Sequence, residues 1–135
     1  MLKQLAVAVF LLLLPSGWVW ADPVGRYQVD GIAAGTGERY RGTVEVTKSG
    51  DRYGVAWDLD GIARRGVALG GAFSGGSFVI GPAHEDDLML AIGFQDDNGF
   101  GTLTMFLQPD GHYEGFLLHS TGVVAGQEIW TLAAE

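Results

Sequence analysis

The sequence predicts an all-β protein, folded as a single antiparallel up-and-down β-barrel of about eight or nine strands. The first observation behind this prediction is a two-residue apolar period that recurs along the chain, as expected of strands with one buried face. The second is a set of short turn signals, such as Asp60-Gly61 and Pro109-Asp110-Gly111, that separate the apolar segments. The third is that no window carries the long 3.6-residue apolar period that marks a helix.

The chain begins with a predicted secretory signal peptide, Met1–Ala21. Lys3 gives a positive start, Leu5–Leu14 is an unbroken apolar run, and Val19-Trp20-Ala21 offers a cleavage site. The run has about ten residues, whereas a membrane-spanning helix needs about 20, so an uncleaved anchor is the less favoured alternative. We therefore expect an exported protein, periplasmic or secreted, with one domain over residues 22–135 and no membrane span after cleavage.

The most regular element is a long β-hairpin over residues 38–59. Apolar and polar side chains alternate in both of its strands, and Lys48–Asp51 supplies the turn between them. An isolated hairpin is only marginally stable in water, so its apolar face must pack against the rest of the chain. The positions predicted to face inward are Tyr40, Gly42, Val44, Val46, Tyr53, Val55, Trp57 and Leu59.

Further strands are predicted on both sides of this hairpin. A short strand over residues 26–30 precedes it, and a strand over Ile62–Leu69 follows the turn Asp60-Gly61. Ala72–Ile80 reads as a weaker strand interrupted by Gly75-Gly76, and residues 81–87 read as a loop. The remaining strands are predicted over residues 88–95, 100–108, 112–120 and 127–132.

Consecutive hairpins of this kind can remove their exposed edges by closing into a barrel, an arrangement similar to that of the calycins. The 22 glycines are dispersed among β-branched and aromatic residues, which favours a strongly curved sheet. Tyr40-x-Gly42 and Tyr113-x-Gly115 each predict an aromatic ring covering a glycine on the same face. A β-sandwich is the alternative architecture.

The charge distribution argues against two classes of partner. Without Lys3, seven basic residues face 16 acidic ones, a net charge of −9. All seven basic residues precede Gly71, whereas residues 71–135 contain nine acids and no Lys or Arg. A nucleic-acid partner is therefore not expected, and neither is adhesion to an anionic membrane surface. The absence of cysteine excludes disulfides and lipid-modified cysteine.

No catalytic site, metal site or cofactor is predicted. No serine stands in a nucleophile-elbow sequence, and His112 and His119 are seven residues apart, so they face opposite sides of a strand. Asp58 and Asp60 share the polar face of a strand end and read as solvated. The clusters His84–Asp87 and Asp96–Asn98 could attract Ca²⁺, but their spacing favours solvent-exposed loop tips.

Five residues are candidates for ligand binding. Arg64 shares the face of Ile62, Gly66 and Ala68, so it could enter a barrel mouth and bind an acidic group. The favoured interpretation is nevertheless an exposed charge or a partner for the acidic half. The aromatic candidates are more typical of a core, although a ligand could stack against them. The set comprises Tyr40, Tyr53, Trp57, Arg64 and Trp130.

The chain resembles a group of small exported bacterial β-proteins without an established function, some of which carry a fibronectin-binding label. The resemblance rests on Gly25-Arg26-Tyr27, Tyr40-Arg41-Gly42-Thr43-Val44, Tyr53-Gly54-Val55-Ala56-Trp57 and Gly126-Gln127-Glu128-Ile129-Trp130-Thr131. It supplies no catalytic residues. Ser74–Asp87 looks like an insertion relative to that pattern, and Phe116-Leu117 departs from it.

These observations favour an exported non-enzymatic binding module, whose partner is a small molecule in the barrel lumen or a protein on its surface. The alternative is an envelope-stress or inhibitor protein that acts through its surface, and an enzyme comes third. An open, partly apolar lumen would favour a small molecule, whereas a filled lumen with an exposed apolar patch would favour a protein.

Overall fold

A computed structural model describes residues 21–134, so the predicted signal peptide lies outside the described residues except for Ala21. That part of the chain holds no helix long and apolar enough to cross a membrane. Its strands are β1 (Gly25–Ile32), β2 (Arg39–Ser49), β3 (Arg52–Leu59), β4 (Ile62–Ser74), β5 (Ser77–Gly81), β6 (Met89–Asp96), β7 (Gly99–Leu107), β8 (Tyr113–His119) and β9 (Gly126–Leu132).

The strands confirm the predicted all-β fold as a closed antiparallel barrel of eight strands with one strand in addition. β1 to β4 pair in sequence, β4 pairs with β6, and β6 to β9 pair in sequence. The last strand returns to the first, with Trp130 opposite Val29, and this pairing closes the barrel. β5 stands outside the closed ring and pairs only with the end of β4 among the described strands.

The central hairpin has the predicted register and faces. Gly50 adopts a φ of 61° in the first turn, and Asp60 and Gly61 adopt 55° and 85° in the second. The positive φ at both positions of a two-residue turn matches the twist of the flanking strands. All four predicted inward positions of β3 are buried: Tyr53, Val55, Trp57 and Leu59.

The prediction of one interrupted strand over Ala72–Ile80 is wrong. β4 continues to Ser74, and Gly75 and Gly76 form a tight turn with φ values of 58° and 82°. The chain then reverses into β5, whose Phe78 packs edge-to-face on Phe73 with ring centroids 5.3 Å apart. This extra strand lies within Ser74–Asp87, the segment for which the resemblance described above predicts an insertion.

The aromatic side chain of Tyr40 covers a glycine, but a different one from that predicted. Its ring lies over Gly31, its cross-strand neighbour in β1, where a Cβ atom would collide with the ring. The space beside Gly42 is taken by the backbone of Asp58 and Leu59. The ring therefore covers the neighbouring strand, because cross-strand neighbours are closer than residues two apart along one strand.

The barrel interior is filled by side chains over most of its length. Aromatic and aliphatic residues from all eight barrel strands meet inside it, and the rings of Trp57 and Trp130 lie 6.0 Å apart at a steep angle. The largest buried side chains are Trp130, Tyr53, Tyr113, Leu90, Leu103 and Met105. The interior is thus a packed core.

One end of the barrel, here named the closed end, is covered by residues 21–24 and 82–88. Pro23 is fully buried, and the Tyr27 hydroxyl donates to its carbonyl oxygen at 2.8 Å. Burial, with Asp22 nearby, raises the pKa of Tyr27 to about 12. The Tyr113 hydroxyl donates to the carbonyl oxygen of Ala21 at 3.2 Å. The N-terminal segment is therefore anchored to the barrel by buried contacts.

Asp87 also belongs to the closed end, contrary to its prediction as part of a solvent-exposed loop tip. Its carboxylate is buried and accepts hydrogen bonds from the Tyr53 hydroxyl at 2.6 Å and the His84 backbone N–H at 2.7 Å. Burial and the Asp87 hydrogen bond both raise the pKa of Tyr53. The carboxylate fixes the loop over the core by accepting these two bonds.

Although nine acids fall in residues 71–135, the barrel wall that this half of the chain forms carries few of them. β6 to β9 are neighbours as expected, but the outward positions of β6 and β7 carry no acid. Most of the acids in this half lie at the strand ends, and Asp87 and Glu128 lie inside. Strand adjacency determines which wall a segment forms, whereas turn chemistry concentrates carboxylates at the ends.

Candidate functional site

A buried ion pair between Arg64 and Glu128 lies at the centre of the candidate site. Arg64 projects inward from β4 and Glu128 from β9, and the Arg64 Nη1 atom lies 2.5 Å from Glu128 Oε2. Arg64 is 8% exposed and Glu128 is fully buried. Removing the two charged groups from water costs several kcal/mol of folding free energy for each group, unless hydrogen bonds inside the protein replace those to water.

Glu128 meets this requirement through neutral donors on neighbouring strands. The Tyr40 hydroxyl donates to Oε2 at 2.6 Å. The indole N–H groups of Trp57 and Trp130 both donate to Oε1 at 2.9 Å. With Arg64, every acceptor position of the carboxylate has a donor within reach. The network therefore joins β2, β3, β4 and β9 across the interior.

Aromatic rings surround the Arg64 guanidinium. Its Cζ atom lies 4.7 Å from the ring centre of Phe94, 4.9 Å from that of Trp57 and 5.7 Å from that of Tyr40. Burial disfavours the charge, but Glu128 and Tyr40 together outweigh burial and raise the pKa of Arg64. Within residues 21–134, Arg64 Nε is the one buried side-chain polar atom without a hydrogen-bond partner. The guanidinium is thus held charged and in one orientation.

A recess of about 420 Å³ opens above Arg64 at the end of the barrel opposite the closed end. We name it the mouth recess. Its walls come from the loops β1–β2, β3–β4, β6–β7 and β8–β9 and the adjoining strand ends. The carboxylates of Glu38, Asp60 and Asp96 line it. Arg64, the permanently charged basic residue in the lining, is paired with Glu128. The lining residues are Ala33, Ala34, Glu38, Tyr40, Leu59, Asp60, Ile62, Arg64, Asp96, Asn98, Leu117, His119 and Thr121.

His119 and Asp96 form a second polar pair in the mouth recess. His119 Nε2 lies 3.1 Å from Asp96 Oδ2, and its Nδ1 accepts the Thr121 backbone N–H at 3.1 Å. Because Nδ1 is an acceptor, neutral His119 carries its proton on Nε2 and donates it to Asp96. The Thr121 hydroxyl also lies within hydrogen-bond distance of His119 Nδ1, so the hydroxyl and the Thr121 backbone N–H share the single lone pair of that nitrogen. The arrangement fixes the orientation of the imidazole in the mouth recess.

The structure brings four of the five candidate ligand-binding residues together. Tyr40, Trp57, Arg64 and Trp130 all bind Glu128, and two of them, Tyr40 and Arg64, line the mouth recess. Tyr53 lies instead at the closed end, bound to Asp87. Of the two favoured interpretations of Arg64, the exposed charge is wrong, because the side chain is buried. The other, a partner for the acidic half, is confirmed, because Glu128 belongs to residues 71–135 and lies inside the same barrel.

Sequence reasoning missed Glu128 and the pair formed by His119 and Asp96. A signal for Glu128 was present, because the two-residue period places it on the same inward face as Gly126 and Trp130. An acid on a predicted inward face implies a buried partner, and Arg64 was the basic residue placed inward. No local signal joins His119 to Asp96, which meet only through the pairing of β6, β7 and β8.

Millimolar Ca²⁺ is expected to leave the melting temperature nearly unchanged. The clusters at residues 85–87 and 96–98 lie at opposite ends of β6, whose eight residues span about 25 Å. They cannot share one cation, and no group of three or more potential ligands occurs among the described residues. Tight binding would add about 2.7 kcal/mol at a hundredfold excess over the dissociation constant.

Thermal unfolding with Ca²⁺ or Mg²⁺ at equal ionic strength tests this prediction. Moderate salt should raise the melting temperature slightly in both series by screening the acidic charges. A rise of several degrees with Ca²⁺ alone would contradict it and reveal a cation site.

Comparison with known proteins identifies no family for this chain. No protein-family model matches it, and no curated protein matches it either. The geometry of the mouth recess and of the barrel surface therefore indicates the candidate functions.

Proposed function

We propose that the protein is an exported non-enzymatic binding module that takes a small molecule in the mouth recess. The observation that carries the proposal is a recess of about 420 Å³ with Arg64 at its base. Ligand sites of this size are typical of barrel mouths and combine apolar walls with a few fixed polar groups. Below Arg64 the interior is filled, so the ligand enters the mouth and not the full lumen.

The ion pair supports a binding function because a buried ion pair contributes little net stability to a fold. Replacing a buried ion pair by apolar residues is often neutral or stabilising. Arg64 and Glu128 instead keep Tyr40 and the guanidinium in fixed positions at the base of the recess. A preorganised polar base lowers the ordering cost of ligand binding.

The charges of the mouth recess favour a neutral or cationic ligand over an anion. Glu38, Asp60 and Asp96 line it, and Arg64 is already neutralised by Glu128. Leu59 and other aliphatic side chains provide an apolar wall. A ligand with an apolar body and a cationic group fits this combination.

Three related probes of different charge test the proposal: indole, tryptamine and indole-3-acetate. We expect tryptamine to shift the backbone NMR signals of Tyr40, Arg64 and His119 more strongly than indole-3-acetate. Ala34→Trp, within the recess, should abolish the shifts by filling the space. Ala63→Trp, exposed on the outer face of β4, is the matched control and should preserve them. Absence of shifts with all three probes would contradict the proposal.

A second candidate function is supported by the filled interior together with exposed apolar side chains on the outer wall formed by β4, β6, β7 and β8. This wall would suit an inhibitor or envelope-stress protein that binds another protein through its surface. The residues are Val67, Leu69, Phe106, Phe116 and Leu118, with Phe116 67% exposed. If this second function is correct, Phe116→Lys would abolish binding of the partner protein, whereas Ala34→Trp would leave that binding intact.

A further inference from the structure

β5 is the one described strand with an unpaired edge along its whole length. β4 pairs with β3 along residues 62–68 and with β6 along residues 65–71 on its other edge. β5 continues the β3 edge by pairing with residues 70–74. Every β5 residue from Ser77 to Ile80 is exposed. A barrel that removes its other edges by closure therefore keeps one that is open to pairing.

The tight turn determines which backbone groups point out from this edge. In a two-residue hairpin the flanking pair, here Ser74 and Ser77, exchanges both hydrogen bonds, and alternate pairs then point away. The N–H and C=O groups of Phe78 and Ile80 consequently face outward. The Gly71 carbonyl, opposite Ile80, agrees with this alternation because it points away from β5 and accepts from Leu88 N–H at 2.8 Å.

The exposed edge lacks the usual protections against pairing. Such edges normally carry charged side chains, an internal proline or a bulge. The run from Gly66 to Ala83 contains no ionisable side chain, and Pro82 follows β5 without interrupting it. The whole chain carries a net charge of −8. Two copies can therefore approach each other at β5 without bringing carboxylates together.

We propose that β5 pairs in antiparallel fashion with β5 of a second copy of this chain, about a two-fold axis at Val79. In this register Phe78 of one copy lies opposite Ile80 of the other, and each such pair exchanges both of its hydrogen bonds. Val79 lies opposite itself as a non-hydrogen-bonded pair. The strand is therefore complementary to itself, and the two-fold contact closes without leading to a filament.

Cross-linking tests the register directly, because the chain contains no cysteine. Non-hydrogen-bonded neighbours have Cα atoms about 4.5 Å apart, which lies within the range that a disulfide spans. We expect Val79→Cys to form a covalent dimer under mild oxidation. Ser77→Cys, on the same exposed strand, is the control and should not, since Ser77 faces Gly81 of the other copy. Equal cross-linking of both variants, or none with Val79→Cys, would overturn the register.

Introducing a charge at position 79 tests whether the two copies associate through β5. Val79→Lys and Val79→Glu each place like charges on the axis, so each variant alone should sediment at half the mass of the parent dimer. An equimolar mixture should regain the dimer, because opposite charges then meet. This recovery also shows that the variants are folded. A parent that stays monomeric over a concentration series, or a mixture that stays monomeric beside a dimeric parent, would overturn the proposal.

Discussion

Replacing Arg64 by Met is expected to lower the free energy of unfolding by about 3–5 kcal/mol, as removal of one partner from a buried ion pair does. The Glu128 carboxylate would stay fully buried, with only the neutral donors Tyr40, Trp57 and Trp130. Tryptophan fluorescence during urea unfolding measures the change. The matched control is Arg65→Met on the outer face of β4, for which surface substitutions predict a change within about 0.5 kcal/mol.

A double-mutant cycle separates the pair from its surroundings. In the Arg64→Met/Glu128→Gln variant the glutamine keeps one acceptor oxygen for the indole N–H groups and no charge remains. Its loss of stability should therefore be smaller than the sum of the two single losses. Additive losses, or an Arg64→Met variant as stable as the parent, would show that the two side chains do not form a coupled pair.

Truncating Trp57 to Ala is expected to lower the free energy of unfolding by about 3–5 kcal/mol, the usual range for large aromatic residues in cores. The Trp57 ring lies 6.0 Å from the rings of both Phe94 and Trp130, and its N–H donates to Glu128. The variant thus creates a cavity and leaves an acceptor of a buried carboxylate without its donor. Urea unfolding, followed by far-UV circular dichroism, measures the loss.

Two further substitutions make the Trp57 result specific. Trp57→Phe keeps most of the ring but removes the donor, so about 1–3 kcal/mol should be lost. Phe116→Ala removes a ring from the exposed outer wall and should change stability little. A Trp57→Ala variant with the stability of the parent would place this side chain outside the core and contradict the register of β3.

The fold was predictable because alternation and turn chemistry are local properties. Trp57 and Val55 point inward on the evidence of their own strand, and Asp60-Gly61 specifies its turn without help from distant residues. The interrupted segment was harder to interpret. A pair of glycines suits both a bend within a strand and a two-residue turn, and only the pairing of Phe73 with Phe78 decides between them.

The site was only partly predictable, because a two-residue period identifies the face of a side chain but not its height in the barrel. Tyr53 and Trp57 share a face, but four residues separate them by about 13 Å along β3. One therefore lies at the closed end and the other beneath the mouth recess. Arg64 and Glu128 are joined only by barrel closure, which no local pattern of sequence reports.

If the predicted signal peptide is removed after Ala21, the anchoring of residues 21–24 at the closed end constrains when that cleavage can occur. The peptide bond to be cleaved, between Ala21 and Asp22, then lies one residue before the buried Pro23. The carbonyl oxygen of Ala21 accepts a hydrogen bond from the Tyr113 hydroxyl. A peptidase needs a segment that is free to leave the protein surface, whereas here Pro23 is buried and the Ala21 carbonyl is bound to Tyr113. Cleavage would then have to precede docking of this segment, so a precursor that folded early would be protected from its own processing.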